Sequence, residues 1–264
     1  MRLFDQHVHS YYSFDSKQAI EAYLDKANLL GLDYFVLTDH CDLNFLDKNK
    51  DIFFDIDKQH QELEELQKRY PKIKILLGIE IGYKPSEIER IEDVINNHHF
   101  DLINFSLHES DGIDYYSYED FLKFGVNETL DIYFSREIEA IDSFDDYDVF
   151  CHLEYGFKTA YLKDRSLSLR QYEAQLIEIM KRIIKKGKAL EINTKVEKSF
   201  PIEYTLYILS LYKKLGGKYL TLSSDAHDVS RYYESFDKYI KLIKQAGFTH
   251  LTYFINRKKH LLKI

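Results

Sequence analysis

Short apolar runs alternate with amphipathic segments along almost the whole chain. Residues 34–37, 73–77 and 189–193 are mostly apolar, which predicts strands that are buried on both faces. Residues 56–69 and 168–186 instead carry apolar side chains at helical spacing. Fully buried strands joined by helices are typical of a parallel sheet that helices cover. The pattern therefore predicts an α/β protein.

The remaining segments continue this alternation. Further strands are predicted at residues 3–9, 102–105, 148–151, 219–223 and 251–255. Further helices are predicted at residues 17–30, with caps at Ser16 and Gly31, and at 86–97, 118–143 (broken at Gly125), 202–215 and 232–246. Residues 153–165 are predicted to be a loop, and a basic tail follows residue 255. Seven or eight strand–helix units predict a closed or nearly closed β/α barrel, with an open doubly wound sheet as the alternative.

Composition and charge narrow the classes of function. Three prolines and ten glycines leave little room for linkers, so residues 1–264 are predicted to form a single domain. A formal net charge of −8 argues against nucleic acid as the main partner. No apolar stretch approaches the length of a membrane span, and we see no secretory segment. We therefore expect a cytoplasmic protein with two reduced cysteines, no membrane partner and no oligomeric state set by the sequence.

Histidines and carboxylates fall where the predicted strands end. In chain order these residues are His7, His9, His40, Glu80, His108, His152, Glu191, Asp225 and His227. From His9 onward the strand ends follow one another at intervals of 28 to 44 residues, about one strand–helix unit each. The carboxyl ends of parallel strands open onto one face of a barrel. These side chains are therefore predicted to converge.

The residue types indicate a metal centre. His7 and His9 are separated by one residue in an extended run, so both imidazoles project from the same face. Nitrogen and carboxylate ligands without a cysteine pair suit zinc, manganese or iron(II). The cluster has more ligands than one ion can use, which predicts two or three divalent ions.

Four residues in or next to this strand-end set are interpreted as groups other than metal ligands. Cys41 and Cys151 adjoin His40 and His152, and we interpret them as small buried side chains rather than additional ligands. Asp39 and Glu191 are interpreted as groups that brace or orient the site.

Several of these motifs together resemble those of the polymerase-and-histidinol-phosphatase (PHP) family. They are Asp5-Gln6-His7-Val8-His9, Thr38-Asp39-His40, Gly78-Ile79-Glu80, Ser106-Leu107-His108, His152 and Ser224-Asp225-Ala226-His227. Their order and approximate spacing agree with the family over nearly the whole chain. The chain length and the acidic loop at residues 109–114 are most similar to the stand-alone histidinol-phosphate phosphatases of that family.

The resemblance implies a fold and a set of ligands. It implies a distorted (β/α)7 barrel with a trinuclear metal centre in a single phosphoesterase domain. Carried over position by position, the first ion is held by His7, His9, Glu80 and Asp225, the second by Glu80, His108 and His152, and the third by Asp15, His40 and His227. Many relatives have a histidine where this chain has Asp15.

The implied activity is hydrolysis of L-histidinol phosphate to L-histidinol and phosphate in histidine biosynthesis. A hydroxide that bridges two ions would attack phosphorus in line. Glu80 would bridge these ions, Asp225 would accept a proton from the attacking water, and His227 or His40 would assist the leaving alkoxide. Arg165 is the candidate phosphate clamp, with a solvated loop cation as the alternative interpretation. Glu109 is the candidate partner of the substrate's amino group.

Other functions stay open at this stage. The chain could be a PHP phosphoesterase that acts on phosphotyrosine, a nucleotide or a DNA end. It could be a metal-dependent amidohydrolase, although it lacks the corresponding ligand lysine pattern. It could also be a non-catalytic metal-binding or sensor protein.

Overall fold

Parallel strands form the centre of the computed structural model, which describes residues 4–195 and 200–264. The strands are β1 (Tyr34–Leu37), β2 (His40–Cys41), β3 (Lys74–Gly82), β4 (Leu102–Ser106), β5 (Glu109–Ser110), β6 (Ile113–Asp114), β7 (Val149–Phe150), β8 (Ala189–Asn193), β9 (Leu220–Ser223), β10 (His250–Ile255) and β11 (Lys258–Lys263). The main sheet has the order β1-β3-β4-β7-β8-β9, and β2 also pairs with β3. Neighbours in this sheet run parallel.

Helices connect the strands and cover the outside of the sheet. They are α1 (Ile20–Leu30), α2 (Ile56–Arg69), α3 (Ile88–Asn97), α4 (Tyr118–Phe124), α5 (Val126–Ser143), α6 (Tyr155–Lys163), α7 (Glu173–Lys185), α8 (Ile202–Lys214) and α9 (Phe236–Gln245). The largest apolar cluster packs helix residues such as Leu130, Leu176 and Ile243 with strand residues such as Phe105 and Leu190. Burial of these apolar faces holds the helical layer on the sheet.

The opening segment joins the two edges of the sheet. Val8 forms a parallel bridge with Ala226, three residues beyond the end of β9 at the other edge. On the other side, the carbonyl of Val8 accepts a 2.9 Å hydrogen bond from the amide of Thr38, which directly follows β1. This contact on both edges distinguishes the structure from an open doubly wound sheet. The prediction of a distorted parallel β/α barrel is confirmed, although the segment forms an isolated bridge rather than a regular strand, and Leu3 lies outside the described residues.

The C-terminal hairpin closes the barrel at the end where the strands begin. Phe254 of β10 packs with Phe4 and with residues near the starts of strands, such as Val36 and Leu102. The side chain of Gln6 donates a 2.9 Å hydrogen bond to the carbonyl of Thr252 and accepts a 3.2 Å bond from the amide of Phe254. The open end of the barrel is therefore the one at the carboxyl ends of the strands.

Three predicted segments were wrong in their bounds or their type. α1 begins at Ile20 rather than residue 17, because the Ser16 hydroxyl donates to the carbonyl of His227 instead of capping the helix. The predicted loop at 153–165 contains α6, whose apolar and aromatic residues occupy much of the helix circumference and therefore give no amphipathic pattern. The basic tail is strand β11, which pairs antiparallel with β10. The predicted break at Gly125 is confirmed, since α4 and α5 meet there.

Within residues 4–195 and 200–264, we find no helix that is long and apolar enough to cross a membrane.

Glu137 of α5 places a carboxyl group in the core. The residue is 1% exposed. Burial raises the pKa of Glu137 well above its ordinary value, and the negative charge of Glu154 adds to this effect while a hydrogen bond with Tyr133 opposes it. The folded protein therefore keeps a proton here that the unfolded chain, with a pKa of about 4.3, releases.

This difference predicts how Glu137 affects stability. Above about pH 4.3 the unfolded state gains from ionising this group, so its contribution to the free energy of unfolding falls by up to ~1.4 kcal/mol per pH unit as pH rises. Glu137→Gln cannot ionise, so its stability relative to wild type should improve between pH 4.5 and pH 8. Urea unfolding followed by circular dichroism measures this, with Glu139→Gln, at a partly exposed carboxyl on the same helix, as control. An equal difference from wild type at both pH values would contradict the prediction.

Candidate metal centre

The buried carboxylate of Glu80 is the hub of the site. Glu80 lies in β3 opposite His40 of β2, so strand register alone brings these two residues together. Histidine nitrogens approach its two oxygens from other strand ends. The distances to Glu80 are 3.2 Å from His7 Nε2, 3.4 Å from His9 Nε2, 2.9 Å from His40 Nδ1, 3.3 Å from His108 Nε2 and 2.9 Å from His152 Nε2. The predicted convergence of these strand-end side chains is therefore present in the structure.

Asp225 is a second meeting point, beyond the end of β9. Its Oδ1 lies 3.3 Å from His9 Nε2 and 3.3 Å from His227 Nδ1. Its Oδ2 lies 3.9 Å from His152 Nε2 and forms an ion pair with Lys195 Nζ at 3.0 Å. Asp225 thus lies beside the Glu80 cluster and faces the open side of the site.

Asp15 lies at the mouth, with a side chain that is 36% exposed. Its two oxygens lie 3.0 Å from His227 Nε2 and 3.7 Å from His40 Nε2. The carboxylate is therefore positioned between two histidines, as a ligand of a third ion would be.

Unpaired buried atoms test whether metal ions fit here. Among the described residues, His7 Nε2, His9 Nε2, His40 Nδ1 and Glu80 Oε2 are buried and, although they lie close to one another, are not aligned to form hydrogen bonds. A buried polar atom without a partner costs about 1–3 kcal/mol, so such atoms rarely gather without a ligand. Their nitrogen and oxygen chemistry suits divalent ions. Several overlapping groups of three ligands share Glu80 or His7, which fits more than one ion.

The charges of the cluster point the same way. Burial opposes ionisation of Glu80, but the surrounding histidines, His7 foremost, hold the pKa of this carboxyl well below its ordinary value. Burial also opposes protonation of His7, yet Glu80, Glu191 and Asp225 raise the pKa of its imidazole well above the usual range. Burial instead lowers the pKa of His9 and of His152. Without metal the site thus combines protonated and neutral imidazoles with carboxylate groups. Divalent cations would replace these protons and neutralise the same carboxylates.

Outer hydrogen bonds fix the histidine rings. Asp42 Oδ1 accepts a 2.7 Å hydrogen bond from His108 Nδ1, which leaves His108 Nε2 facing Glu80. His9 Nδ1 bonds to Ser13 Oγ at 3.0 Å, and that hydroxyl donates to Asp39 at 2.6 Å. Asp39 therefore braces the site, as interpreted from the sequence. Such partners set which ring nitrogen is free for a metal.

Asp42 was missed by the sequence reasoning. It stands two residues after His40, and residues i and i+2 of an extended segment share a face, so this signal was present in the sequence. Gly82 leaves room for the Asp42 carboxylate beside His108, because a Cβ atom at Gly82 would lie 1.9 Å from Asp42 Oδ1.

The two cysteines are buried free thiols. Cys41 packs in the main apolar cluster, in agreement with the interpretation from the sequence. Cys151 lies within reach of His7 and Glu191, but it packs with apolar residues, and burial raises the pKa of its thiol well above the ordinary value. A protonated thiol is a poor metal ligand, so Cys151 also fits the role of a small buried side chain.

A cavity of about 430 Å³ opens onto the metal-binding side chains. Its walls carry opposite charges. Lys158 and Lys195 provide cations, and Asp114 provides a carboxylate beside the rings of Phe45 and Tyr116. A small molecule with an anionic group and a cationic group fits such a cavity.

The two predicted substrate-binding residues lie elsewhere. Arg165 follows α6 and stacks over the ring of Tyr161 at 4.7 Å, and it is not among the described residues that line the cavity. Glu109 is buried, and its carboxylate forms an ion pair with Lys84 Nζ at 2.6 Å. The structure therefore does not bring either residue to the cavity wall. Of the charged residues that do line it, Lys158 and Lys195 follow no strand-end motif and gave no signal in the sequence, whereas Asp114 is the last residue of the acidic loop that the sequence analysis singled out.

The fold and the site together define a β/α-barrel protein with a multinuclear metal centre at the carboxyl ends of its strands. The family model of the PHP domain matches residues 5–195. The chain belongs to the PHP domain family.

Relatives with similar sequences carry a consistent name. The chain is 31% identical over 261 residues to a histidinol-phosphatase of Lactococcus lactis subsp. lactis, covering 98% of this chain and 96% of that protein. A protein of Clostridium acetobutylicum, named a probable histidinol-phosphatase, is 30% identical over 226 residues, covering 85% and 86% of the two chains. The crystal structure of a Lactococcus lactis histidinol phosphate phosphatase complexed with zinc, L-histidinol and phosphate matches with a TM-score of 0.87 at 30% identity, covering 97% and 98% of the two chains.

The metal centre predicts the metal content of the purified protein. Elemental analysis should find more than one equivalent of divalent metal per chain, because Glu80 is shared among several ligand groups. His7→Ala should lower this content by at least one equivalent, and His99→Ala, at a histidine that is 61% exposed, should leave it unchanged. Less than one equivalent in a folded wild-type protein supplied with zinc and manganese would rule out the multinuclear centre.

Proposed function

We propose that this protein is a metal-dependent phosphatase that hydrolyses L-histidinol phosphate to L-histidinol and phosphate in histidine biosynthesis. The observation that carries the proposal is a cavity with cationic and anionic walls directly above a buried metal-binding cluster. L-Histidinol phosphate has the matching chemistry, with a phosphate group at one end and an ammonium group beside an aromatic ring. The names of the similar proteins support this substrate.

The contacts around Glu80, Asp225 and Asp15 support the three ligand sets that the family resemblance implies. His7, His9, Glu80 and Asp225 would hold one ion. Glu80, His108 and His152 would hold a neighbouring ion, and Asp15, His40 and His227 a third near the mouth. His40 approaches Glu80 with Nδ1 and Asp15 with Nε2, so its ring lies between the last two positions. Zinc, manganese and iron(II) all suit these ligands, and zinc is present in the Lactococcus lactis structure.

Bound ions would supply a water molecule of lowered pKa and neutralise charge on the phosphoryl oxygens. The remaining steps belong to protein side chains. Asp225 would accept the proton of the attacking water, since its Oδ2 faces the cavity beside Lys195. His227, whose side chain is 18% exposed, would assist departure of the alkoxide toward the mouth.

Substrate binding is assigned to the residues of the cavity wall. Lys158 and Lys195 replace Arg165 as the candidate phosphate-binding cations. Asp114 replaces Glu109 as the partner of the ammonium group, because Glu109 already pairs with Lys84. Burial raises the pKa of Asp114, and a substrate cation would favour its ionised form.

The bridging role of Glu80 predicts the effect of one substitution. Glu80→Gln keeps the size of the side chain and removes the charge that two ions would share. Its kcat should fall by more than the roughly 10–100-fold that loss of an outer hydrogen-bond partner costs. Phosphate release from L-histidinol phosphate measures turnover, with Glu65→Gln on the exposed face of α2 as the control. Near-normal turnover of a folded Glu80→Gln protein would refute the role.

The role of Asp114 predicts a change in specificity. Asp114→Asn should raise KM for L-histidinol phosphate about tenfold, equivalent to loss of ~1.4 kcal/mol of binding. KM for the analogue without the amino group should not change, because that molecule offers no cation. A substrate panel with phosphotyrosine and nucleotides tests the proposed substrate at the same time. A selective rise in KM for Glu109→Gln alone would show that the original assignment of Glu109 is correct. A preference of the wild-type protein for another ester in the panel would replace L-histidinol phosphate as the proposed substrate.

A further inference from the structure

Glu191, in β8, contacts parts of two different proposed metal sites. Its side chain is 1% exposed. Oε1 accepts a 2.7 Å hydrogen bond from His7 Nδ1 and a 2.5 Å bond from Ser223 Oγ. Oε2 accepts a 3.2 Å bond from the backbone amide of His152. One carboxylate therefore holds the ring of His7 and the main chain of His152.

The backbone of His152 needs such support. Its φ angle is +58°, a left-handed conformation that residues other than glycine adopt only when surrounding contacts hold them there. Glu191 binds the amide side of this residue. On the other side, its carbonyl accepts 2.8 Å hydrogen bonds from the Tyr133 hydroxyl and the Tyr155 amide. His152 is thus clamped at both ends of its own backbone.

These contacts aim two rings at one oxygen atom. The bond from Nδ1 to Glu191 leaves Nε2 of His7 facing Glu80 Oε1 at 3.2 Å. The clamped backbone holds Nε2 of His152 at 2.9 Å from the same oxygen. A hydrogen bond to one ring nitrogen sets the orientation and basicity of the other as a ligand. Glu191 therefore holds the ring of His7 and the backbone of His152, while the Nε2 atoms of both residues face Glu80.

We propose that Glu191 is a positioning residue that couples the binding of two ions, the one at His7 and the one at His152. The proposal rests on the ligand sets of the proposed function and is independent of the substrate. Loss of Glu191 frees both rings, so both ions bind more weakly. Loss of the Tyr133 hydroxyl removes one of the hydrogen bonds that hold His152 and none that hold His7, so of these two ions only the one at His152 binds more weakly.

Titration of the metal-free full-length protein with Mn²⁺, followed by electron paramagnetic resonance, tests this coupling. Wild type should pass from an isolated Mn²⁺ signal to that of a magnetically coupled pair, since Glu80 contributes to both positions. Tyr133→Phe should retain the isolated signal over a range of Mn²⁺ in which wild type already shows the pair. Glu191→Gln should weaken both steps about 10–100-fold, because one amide cannot accept hydrogen bonds at both oxygen positions.

Thermal melting separates positioning from a structural role. In the positioning role, Glu191→Gln loses most of the Mn²⁺-induced rise in Tm while the metal-free Tm changes little. An unchanged Mn²⁺-induced rise on a lowered metal-free Tm, or weakening of one binding step alone, would overturn the proposal. If Glu191→Gln does not fold, Ser223→Ala keeps the carboxylate and removes one of its bonds. It should weaken both steps by a smaller factor, and wild-type binding in this variant would likewise overturn the proposal.

The same titration distinguishes the two levels of inference. A wild-type protein that never shows the coupled signal would refute the proposed ligand sets. A coupled signal in wild type with an unaffected Glu191→Gln protein would refute only the role of Glu191.

Discussion

The placement of one buried carboxylate among histidine rings is the constraint on which the site depends. Glu80 is completely buried, and a lone negative charge there would be strongly unfavourable. Five histidines, from the opening segment, β2 and the ends of β4 and β7, offset this cost by directing ring nitrogens at its two oxygens. No single segment could supply those nitrogens, so the local chemistry requires a fold whose strand ends converge. The buried charge of Glu80 therefore depends on the barrel, because only the barrel brings the histidine rings together around it.

The site is organised in layers that have different physical tasks. The innermost side chains offer nitrogen and oxygen atoms. Behind them Asp42, Ser13 and Glu191 fix ring orientations through hydrogen bonds of 2.7 to 3.0 Å. Toward solvent, Lys158, Lys195 and Asp114 provide the charges that a small bipolar molecule needs. In the proposed function, phosphoester chemistry is assigned to the inner layers and the choice of substrate to the cavity wall.

Sequence reasoning succeeded where chain geometry is periodic. Parallel strands buried on both faces leave clear apolar runs, and a reactive residue after each run points to the common edge, so His40, Glu80 and His108 were found together. It failed where contacts depend on packing between distant segments. Arg165 was chosen for its chemistry and its position in a predicted loop, yet that region is a helix and the guanidinium stacks on Tyr161. Asp114 and Lys158 reach the cavity only because α6 and the β5–β6 hairpin fold over it, which no local pattern records.

Closure of the barrel also bears on how the protein is made. The side chain of Asp5 accepts a hydrogen bond from the amide of Ser224, 219 residues further along the chain, and Val8 bridges to Ala226 in the same region. Contacts at such separation form late, because the intervening chain must be ordered first. A growing chain on the ribosome therefore carries His7 and His9 long before their partner Asp225 has been synthesised. The complete ligand set therefore exists only after the segment that follows β9 has joined the opening segment.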